Sequence, residues 1–396
     1  MKEVKIIWTI YIALGILGAS CVEPFDTSIP GGNDLLVIDG AITDEEGPYT
    51  VRISKSSLLT ENNFPGVSGA TVAIEEENGP SELLIENSSG VYLSSPSGIR
   101  GQPGRRYRLR VKLSDNEEYE SEWMLMKPSP PVDRLYWQFE EKLVNDVPKS
   151  GFQIYVDSKD PEDNTVFYRY EWVETWKYRV PFFPLWILTD ECSYQFIEPN
   201  DYCFKEATSN KINLSNSLSN EEDVVSRHPL LYVTTDPDRL RNRYSFQVRQ
   251  HALTQTEYLF WEGLQETSSE SGSLFDVQPR NIKSNLSNVS RPNEQVLGYF
   301  SVSGVSDERV FISAEDLPDG VFVEDLLTPF CLQEFDTVYY SETALSEVFS
   351  KVRDGLLFYD FLGIECPPNA YTLVTPFCGD CTVHGGTNQE PDFWEE

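Results

Sequence analysis

The groups in this chain best suited to chemistry are its cysteines, its carboxylates and a dense aromatic run. Seven cysteines occur. Cys378-Gly379-Asp380-Cys381 is a C-x-x-C, a spacing that serves a redox pair, half of a zinc site or two structural bridges. A thioredoxin-like pair needs a strand-to-helix turn, whereas Pro376 and Gly379 suggest a loop. A four-thiolate zinc site would draw on Cys331, Cys366, Cys378 and Cys381. Setting Cys21 aside leaves an even six: Cys192, Cys203 and those four. In an exported chain an even number favours disulfides. The short separation suggests that Cys192 pairs with Cys203. The connectivity of the other four stays open.

Asp157, Asp160, Glu162 and Asp163, with Asn164, follow a strand-like stretch and offer oxygen ligands of the kind calcium takes. The competing reading is a solvated Asp-Pro turn; otherwise no cofactor is expected. Trp172, Trp176, Phe182, Phe183 and Trp186 belong to an aromatic run. Pro181 and Pro184 argue against a regular strand from there on. Such a loop could dock on a protein or stack on a sugar, or fold back onto its own core. No G-x-S-x-G, H-E-x-x-H or phosphate loop occurs, and His228, His251 and His384 have no triad spacing. His251 ends a strand-like stretch and reads as structural; His384, near Cys381, is a candidate ligand. Paired carboxylates could hydrolyse glycosides, but among 64 acidic residues no pair stands out.

Charge narrows the partners. Lys and Arg total 31 against 64 acidic residues, a formal charge of −33 on 396 residues. Such a body repels phosphate backbones, so nucleic acid is excluded as a partner. Lys2 and Lys5 precede a charge-free apolar stretch at 6–18, shorter than the roughly 20 residues a spanning helix needs. It reads as a secretory signal over 1–20. Leu17-Gly18-Ala19-Ser20-Cys21 resembles a lipobox, with Cys21 acylated and outer-membrane lipid as its partner. Residues 21–33, with Pro24, Gly31 and Gly32, suit a tether.

The elements that must position these groups read as strands. Residues 34–128 hold about seven short alternating stretches, clearest at Tyr107-Arg108-Leu109-Arg110-Val111, with turn signals between them. That pattern predicts an N-terminal β-sandwich, transthyretin- or fibronectin-like. Lys127-Pro128-Ser129-Pro130-Pro131 forms a stiff connector. Residues 132–396 read as a larger β-rich domain with a disulfide-bearing tail and one or two short helices. Thr254 with Glu257 marks a capping box, Tyr258, Trp261 and Leu264 share a helical face, and Gly272 is a stop signal. A second helix is expected near 341–352. The fold class is mainly β.

Several stretches together resemble the Bacteroidota lipoprotein family catalogued as domain of unknown function 4249. They are Cys21-Val22-Glu23-Pro24-Phe25, Val67-Ser68-Gly69-Ala70-Thr71-Val72, Arg100-Gly101-Gln102-Pro103-Gly104, Val156-Asp157-Ser158-Lys159-Asp160-Pro161, Arg169-Tyr170-Glu171-Trp172 and the tail Cys378-Gly379-Asp380-Cys381 through Pro391-Asp392-Phe393-Trp394. The resemblance implies an outer-membrane, outward-facing lipoprotein without an assigned activity, partnering a TonB-dependent transporter in nutrient capture. A carboxylate-dependent hydrolase of glycans or peptides and a structural adhesin or spacer are the alternatives.

Overall fold

A computed structural model describes residues 35–56, 65–162, 165–190, 193–218, 224–235, 239–269, 282–323, 325–362 and 367–395. The signal segment, the tether, Cys21, Asp163, Cys192, Gly272 and Cys366 lie outside these residues. The chain is mainly β, as its alternation predicts. The first strands are β1 (Leu36–Thr43), β2 (Thr50–Lys55), β3 (Thr71–Glu76), β4 (Ser81–Ser88), β5 (Val91–Leu93), β6 (Arg106–Lys112), β7 (Glu118–Ser121) and β8 (Met124–Leu125). After the connector come β9 (Val132–Val144), β10 (Val147–Lys159), β11 (Phe167–Arg179), β12 (Trp186–Asp190), β13 (Ser193–Phe196), β14 (Tyr202–Thr208), β15 (Asn213–Asn216), β16 (Val224–Thr234) and β17 (Arg243–Leu253). Helix α1 (Gln255–Ser269) precedes β18 (Leu286–Asn288), β19 (Phe300–Ser303) and β20 (Val305–Ser313). The C-terminal part holds α2 (Leu327–Cys331), β21 (Asp336–Tyr339), α3 (Ala344–Arg353), β22 (Leu357–Leu362), β23 (Ala370–Val374) and α4 (Pro376–Gly379).

The first body is one continuous sheet rather than two separate layers. Its order is β18-β7-β6-β3-β4-β5-β2-β1-β19, with β8 beside β6. Strand β4 is the corner: its first half pairs with β3 and its second half with β5. The two end strands meet through one side chain. The Asn285 amide donates to the Phe300 carbonyl at 2.9 Å and accepts the Phe300 N–H at 3.0 Å. The sheet thereby curls into a nearly closed barrel, which leaves few unpaired edge groups. Ile38 and Ile42, Val51 and Ile53, Val72 and Ile74, Leu109 and Val111 alternate into its fully buried interior. Strands β18 and β19 come from residues well past the connector, so this body is not contiguous in sequence.

The second body has two facing sheets, β16-β10-β9 and β14-β11-β17-β20, with β15 beside β11. Phe152 and Ile154 from the first sheet share one core with Tyr170, Trp172, Phe246 and Val248 from the second. The C-terminal part packs α3 through Ala344 and Val348 against the three-stranded sheet β21-β23-β22. Helices α1 and α3 fall where the sequence predicts them, and Phe260, Trp261 and Leu264 of α1 pack on the barrel core. Thr254 accepts the Glu257 N–H at 3.4 Å, the forward half of the expected box; the Glu257 carboxyl turns into the protein interior instead of back to Thr254. Among the described residues no helix is long and apolar enough to cross a membrane.

The two bodies are joined at a double crossing. The chain returns from the second body to the barrel between β17 and β18, and its other two passages cross each other: the connector at 127–131 and Gly304, the single residue between β19 in the barrel and β20 in the second body. The Gly304 N–H donates to the Lys127 carbonyl at 2.9 Å, and its carbonyl accepts the Ala252 N–H at 3.0 Å. A Cβ on Gly304 would stand 2.5 Å from the Lys127 oxygen, so only glycine fits there. The connector is tied down further. The Gln250 amide and the Ser306 hydroxyl both donate to the Pro130 carbonyl, at 2.9 and 2.8 Å.

The bridges correct one expectation. Cys203 is bonded to Cys381, 178 residues away, and not to Cys192; Cys331 is bonded to Cys378. Strand pairing decides this. Register places Cys203 opposite Tyr178, and the Tyr178 hydroxyl donates to the Cys381 carbonyl, which brings the C-terminal turn onto β14. Sequence proximity favours a short loop, but the fold carries Cys203 to the tail. The Cys378-x-x-Cys381 pair is thus split between two bridges and forms neither a redox pair nor half of a zinc site.

Two outcomes follow from this architecture. Gly304→Ala should lower the stability of the full chain by about 1–3 kcal/mol, because the backbones must move apart to admit the methyl; urea unfolding with an unchanged midpoint would contradict the close crossing. Replacing Cys203 and Cys381 together by serine should cost about 2–5 kcal/mol, read in the same titration, and should expose the C-terminal segment to limited proteolysis.

Candidate functional site

Strand alternation that buries one face leaves the other free to meet a neighbour. In β1 the side chains of Ile38 and Ile42 point into the barrel, so Asp39, Ala41 and Thr43 point out. In β2 the outward set includes Thr50 and Arg52. In β11, Tyr168, Tyr170 and Trp172 face the second core, which turns Arg169 and Glu171 the other way; Arg249 and His251 do the same in β17. These outer faces enclose a cleft of about 390 Å³ at the seam of the two bodies, closed at one side by Trp261 and Ser301 and rimmed by Glu45 and Glu46. Cross-strand register organises its charges. Asp39 lies opposite Arg52, Arg169 opposite His251 and Glu171 opposite Arg249. Opposite charges on such pairs stabilise a sheet locally.

The floor of the cleft is a connected polar network. Arg169 donates to Glu171 and lies over the Trp261 ring, its guanidinium carbon 4.4 Å from the centroid. His251 Nε2 is 3.2 Å from Glu171, and its Nδ1 is 3.1 Å from the Ser303 hydroxyl. Arg249 reaches across the seam to Glu45. Burial opposes ionisation of Glu171, but the His251 hydrogen bond and the Arg169 charge reverse this and hold the carboxyl well below its usual range. Burial, reinforced by the Arg169 charge, lowers the His251 pKa. A neutral imidazole gives Glu171 a hydrogen bond but no charge, so Arg169 is the cation of this network. Asp39 goes the other way. Crowding by the cleft walls raises its pKa, partly offset by Arg52 and Arg169, although the residue remains open to the cleft.

Ser303, His251 and Glu171 have the composition of a hydrolytic triad but not its accessibility. Ser303 is 2% exposed and His251 5%. A nucleophile must reach the substrate, and this hydroxyl is sealed behind the cleft floor. The chain of hydrogen bonds is a structural tie between β19, β17 and β11, in line with the structural reading of His251.

The residues singled out from sequence fare differently. Asp157 accepts from Arg134 at 2.8 Å, from Tyr136 at 3.3 Å and from the Arg227 N–H at 2.6 Å. Asp160 caps its own turn, accepting from the Glu162 and Thr165 N–H groups at 3.0 and 2.8 Å. Among the described residues no group of three or more His, Cys, Asp or Glu side chains could hold a metal ion. Asp157 and Asp160 are spent on local partners, which is the Asp-Pro turn reading; Asp163 of the calcium reading lies outside the described residues. The aromatic interaction reading is also corrected. Trp172 and Trp176 are buried in the second core, since residues of one parity on β11 share its inner face. Phe182 packs on Phe335 at 4.6 Å between ring centroids and on Tyr359 at 5.6 Å. Phe183 packs against the same core as Trp172, with the Arg179 guanidinium over its ring. Trp186 is 39% exposed and opens β12, a strand that forms despite Pro184. His384 donates from Nε2 to the Phe377 carbonyl at 2.6 Å, and Cys381 beside it is bonded to Cys203. The seam residues escaped sequence reading: alternation marks Arg169, Glu171, Arg249 and His251 as outward, but nothing local says which outer faces meet.

Glu257 lies behind the Ser301 and Trp261 wall. It is fully buried, and its carboxyl oxygens make no hydrogen bond. Burial pushes its pKa up to about 7. The folded protein therefore holds a proton that the unfolded chain releases near pH 4.5. The contribution is intact below the unfolded value and is lost as pH rises toward 7. Unfolding free energies measured at pH 4.5, 6 and 7.5 should show Glu257→Gln gaining on the native chain as pH rises and then levelling. A constant difference across that range would exclude a protonated Glu257.

No curated protein matches the sequence. Residues 22–309 match the family described as a domain of unknown function, DUF4249. The match spans the barrel, both sheets of the second body up to the middle of β20, and every residue of the seam cleft; the tail motifs at 378–394 lie beyond it. The chain belongs to the DUF4249 family.

Proposed function

We propose that this protein is a lipid-anchored binding or accessory subunit without catalysis, held at the outer surface of the outer membrane through Cys21 and working with a TonB-dependent transporter in nutrient capture. The observation that carries the binding reading is the seam cleft. It is walled by strands, lined by paired charges and backed by a hydrogen-bond network whose hydroxyl, that of Ser303, is buried. Preformed polar clefts at the junction of two bodies suit ligands that hydrogen-bond at several points. Alternating acids and bases fit a polar ligand of low net charge, such as a glycan or peptide segment. The two disulfides among the described residues favour an oxidising compartment, consistent with export by the 1–20 segment.

One observation favours a second reading. Asp39 has a raised pKa while nearby Glu171 is held ionised. Two carboxyls pushed apart in this way can divide acid and base roles, as in a carboxylate-dependent hydrolase. Against it, Glu171 is occupied by Arg169 and His251. Turnover of a bound glycan or peptide that disappears in Asp39→Asn while binding persists would select the hydrolase.

The anchor and partner are tested together. In a native host the full chain should sediment with outer membranes and carry acyl mass on Cys21, whereas Cys21→Ser should leave the membrane fraction. Gentle detergent extraction with crosslinking should recover a barrel protein with the native chain. An unmodified Cys21 would overturn the anchor, and recovery of the chain alone would overturn the transporter partnership.

A further inference from the structure

We propose that a second cavity, at the C-terminal end of the molecule and separate from the seam, binds a small organic anion with an apolar body: an aromatic or short-chain aliphatic carboxylate. The cavity measures about 380 Å³. Its apolar walls are Leu326, Leu327 and Phe330 from the α2 region and Phe377 from α4; its floor is Tyr178 and Lys205 on the paired strands β11 and β14. Both disulfides brace it. Cys331–Cys378 joins the residues next to Phe330 and Phe377, whose rings meet edge-on at 5.7 Å. Cys203–Cys381 fixes the turn carrying His384 to the strand carrying Lys205. Leu326 is 53% exposed, Phe330 49% and Phe377 42%, a concentration of apolar surface that an apolar ligand body would cover.

The charge of the ligand follows from the cations. Arg179 is answered by Asp201 at 3.1 Å and Arg241 by Asp325 at 2.8 and 2.5 Å. Lys205 is different. Its ammonium stands over the Tyr178 ring at 4.7 Å and has no ion pair or hydrogen bond among the described residues. Acids outnumber bases in this chain 64 to 31. An ammonium left without a carboxylate here, half-buried at the edge of an apolar cavity, is a charge awaiting a partner. A carboxylate placed on Lys205 would make a charge-assisted bond, flanked by two guanidinium groups, while its hydrocarbon part lies between Phe330, Phe377 and Leu326.

The test uses the full chain recovered in lipid nanodiscs, with 1-naphthoate as probe and empty nanodiscs as blank, followed by equilibrium dialysis. Saturable uptake at one site per chain is expected. Lys205→Gln should weaken it about tenfold or more, and Lys205→Arg should restore most of it. The neutral analogue 1-naphthalenemethanol should bind weakly and be indifferent to Lys205. Circular dichroism melts of these surface variants verify the fold. The proposal is overturned by a lack of saturable uptake, by equal uptake in Lys205→Gln, or by equal binding of the neutral analogue. In that last case an apolar partner would own the cavity.

Discussion

The close crossing of two backbones at Gly304 and Lys127 is the constraint on which the functional geometry rests. Three passages of chain run between the barrel and the second body, and two of them, the connector and Gly304, go through the same point. With no side chain on Gly304 the strands approach within hydrogen-bond distance, and the buried Gln250 amide fastens the connector from the other side. Two bodies joined by one flexible linker would swing, as domain pairs ordinarily do. Two lashed passages remove that freedom. The outer faces of β1 and β2 are therefore held against the outer faces of β11 and β17, and the seam exists as a fixed cleft. A ligand entering it need not order the walls, which lowers the entropic cost of binding.

The same constraint explains the chemistry of the seam floor. Charged side chains held between two sheets lose much of their water, and each must find a partner or neutralise. Arg169 and Glu171 pair, and His251 stays neutral and links Glu171 to Ser303. Glu257, deeper still and without a hydrogen bond, keeps its proton instead. Burial thus has two opposite outcomes in one neighbourhood: at Glu171 the His251 hydrogen bond and the Arg169 charge overcome it, whereas at Glu257 burial outweighs the pull of the same Arg169. The cavity at the other end follows a different rule. Its walls are apolar, two of its cations are paired by acids from the same chain, and the third is not.

Much of the fold was legible in the sequence because alternation reports burial directly. Strands β1, β2, β3, β5 and β6 begin within a residue or so of where apolar and polar residues begin to alternate, and Thr254 marks the start of α1. Long-range pairing was not legible. Leu286–Asn288 and Phe300–Ser303 fall within the stretch assigned to the second region, yet they close the barrel, because an edge strand carries no local mark of which sheet it will join. Cys203 passed over its near neighbour for a partner 178 residues on, for the same reason. The aromatic run carried its answer in parity. Trp172, Trp176 and Tyr178 share a parity, the signature of one strand face, and this decides between docking outward and folding back onto the core in favour of the core. The seam needed both kinds of information at once: the parity of four strands, visible locally, and their apposition, set by the crossing at Gly304.

The two sites stand differently toward the rest of the chain. Every side chain of the seam falls between Asp39 and Ser301, inside the stretch that matches the family. The C-terminal cavity is a composite. Its floor, with Lys205, lies within that stretch, but its apolar walls come from residues beyond it and are held there by both disulfides. The seam depends on backbone packing that no bridge among the described residues supports. The cavity depends on covalent staples, since α2 and α4 are single turns that cannot hold their positions by helix packing alone. Reduction would therefore separate the two, loosening the walls around Lys205 while leaving the crossing at Gly304, and with it the seam cleft, in place.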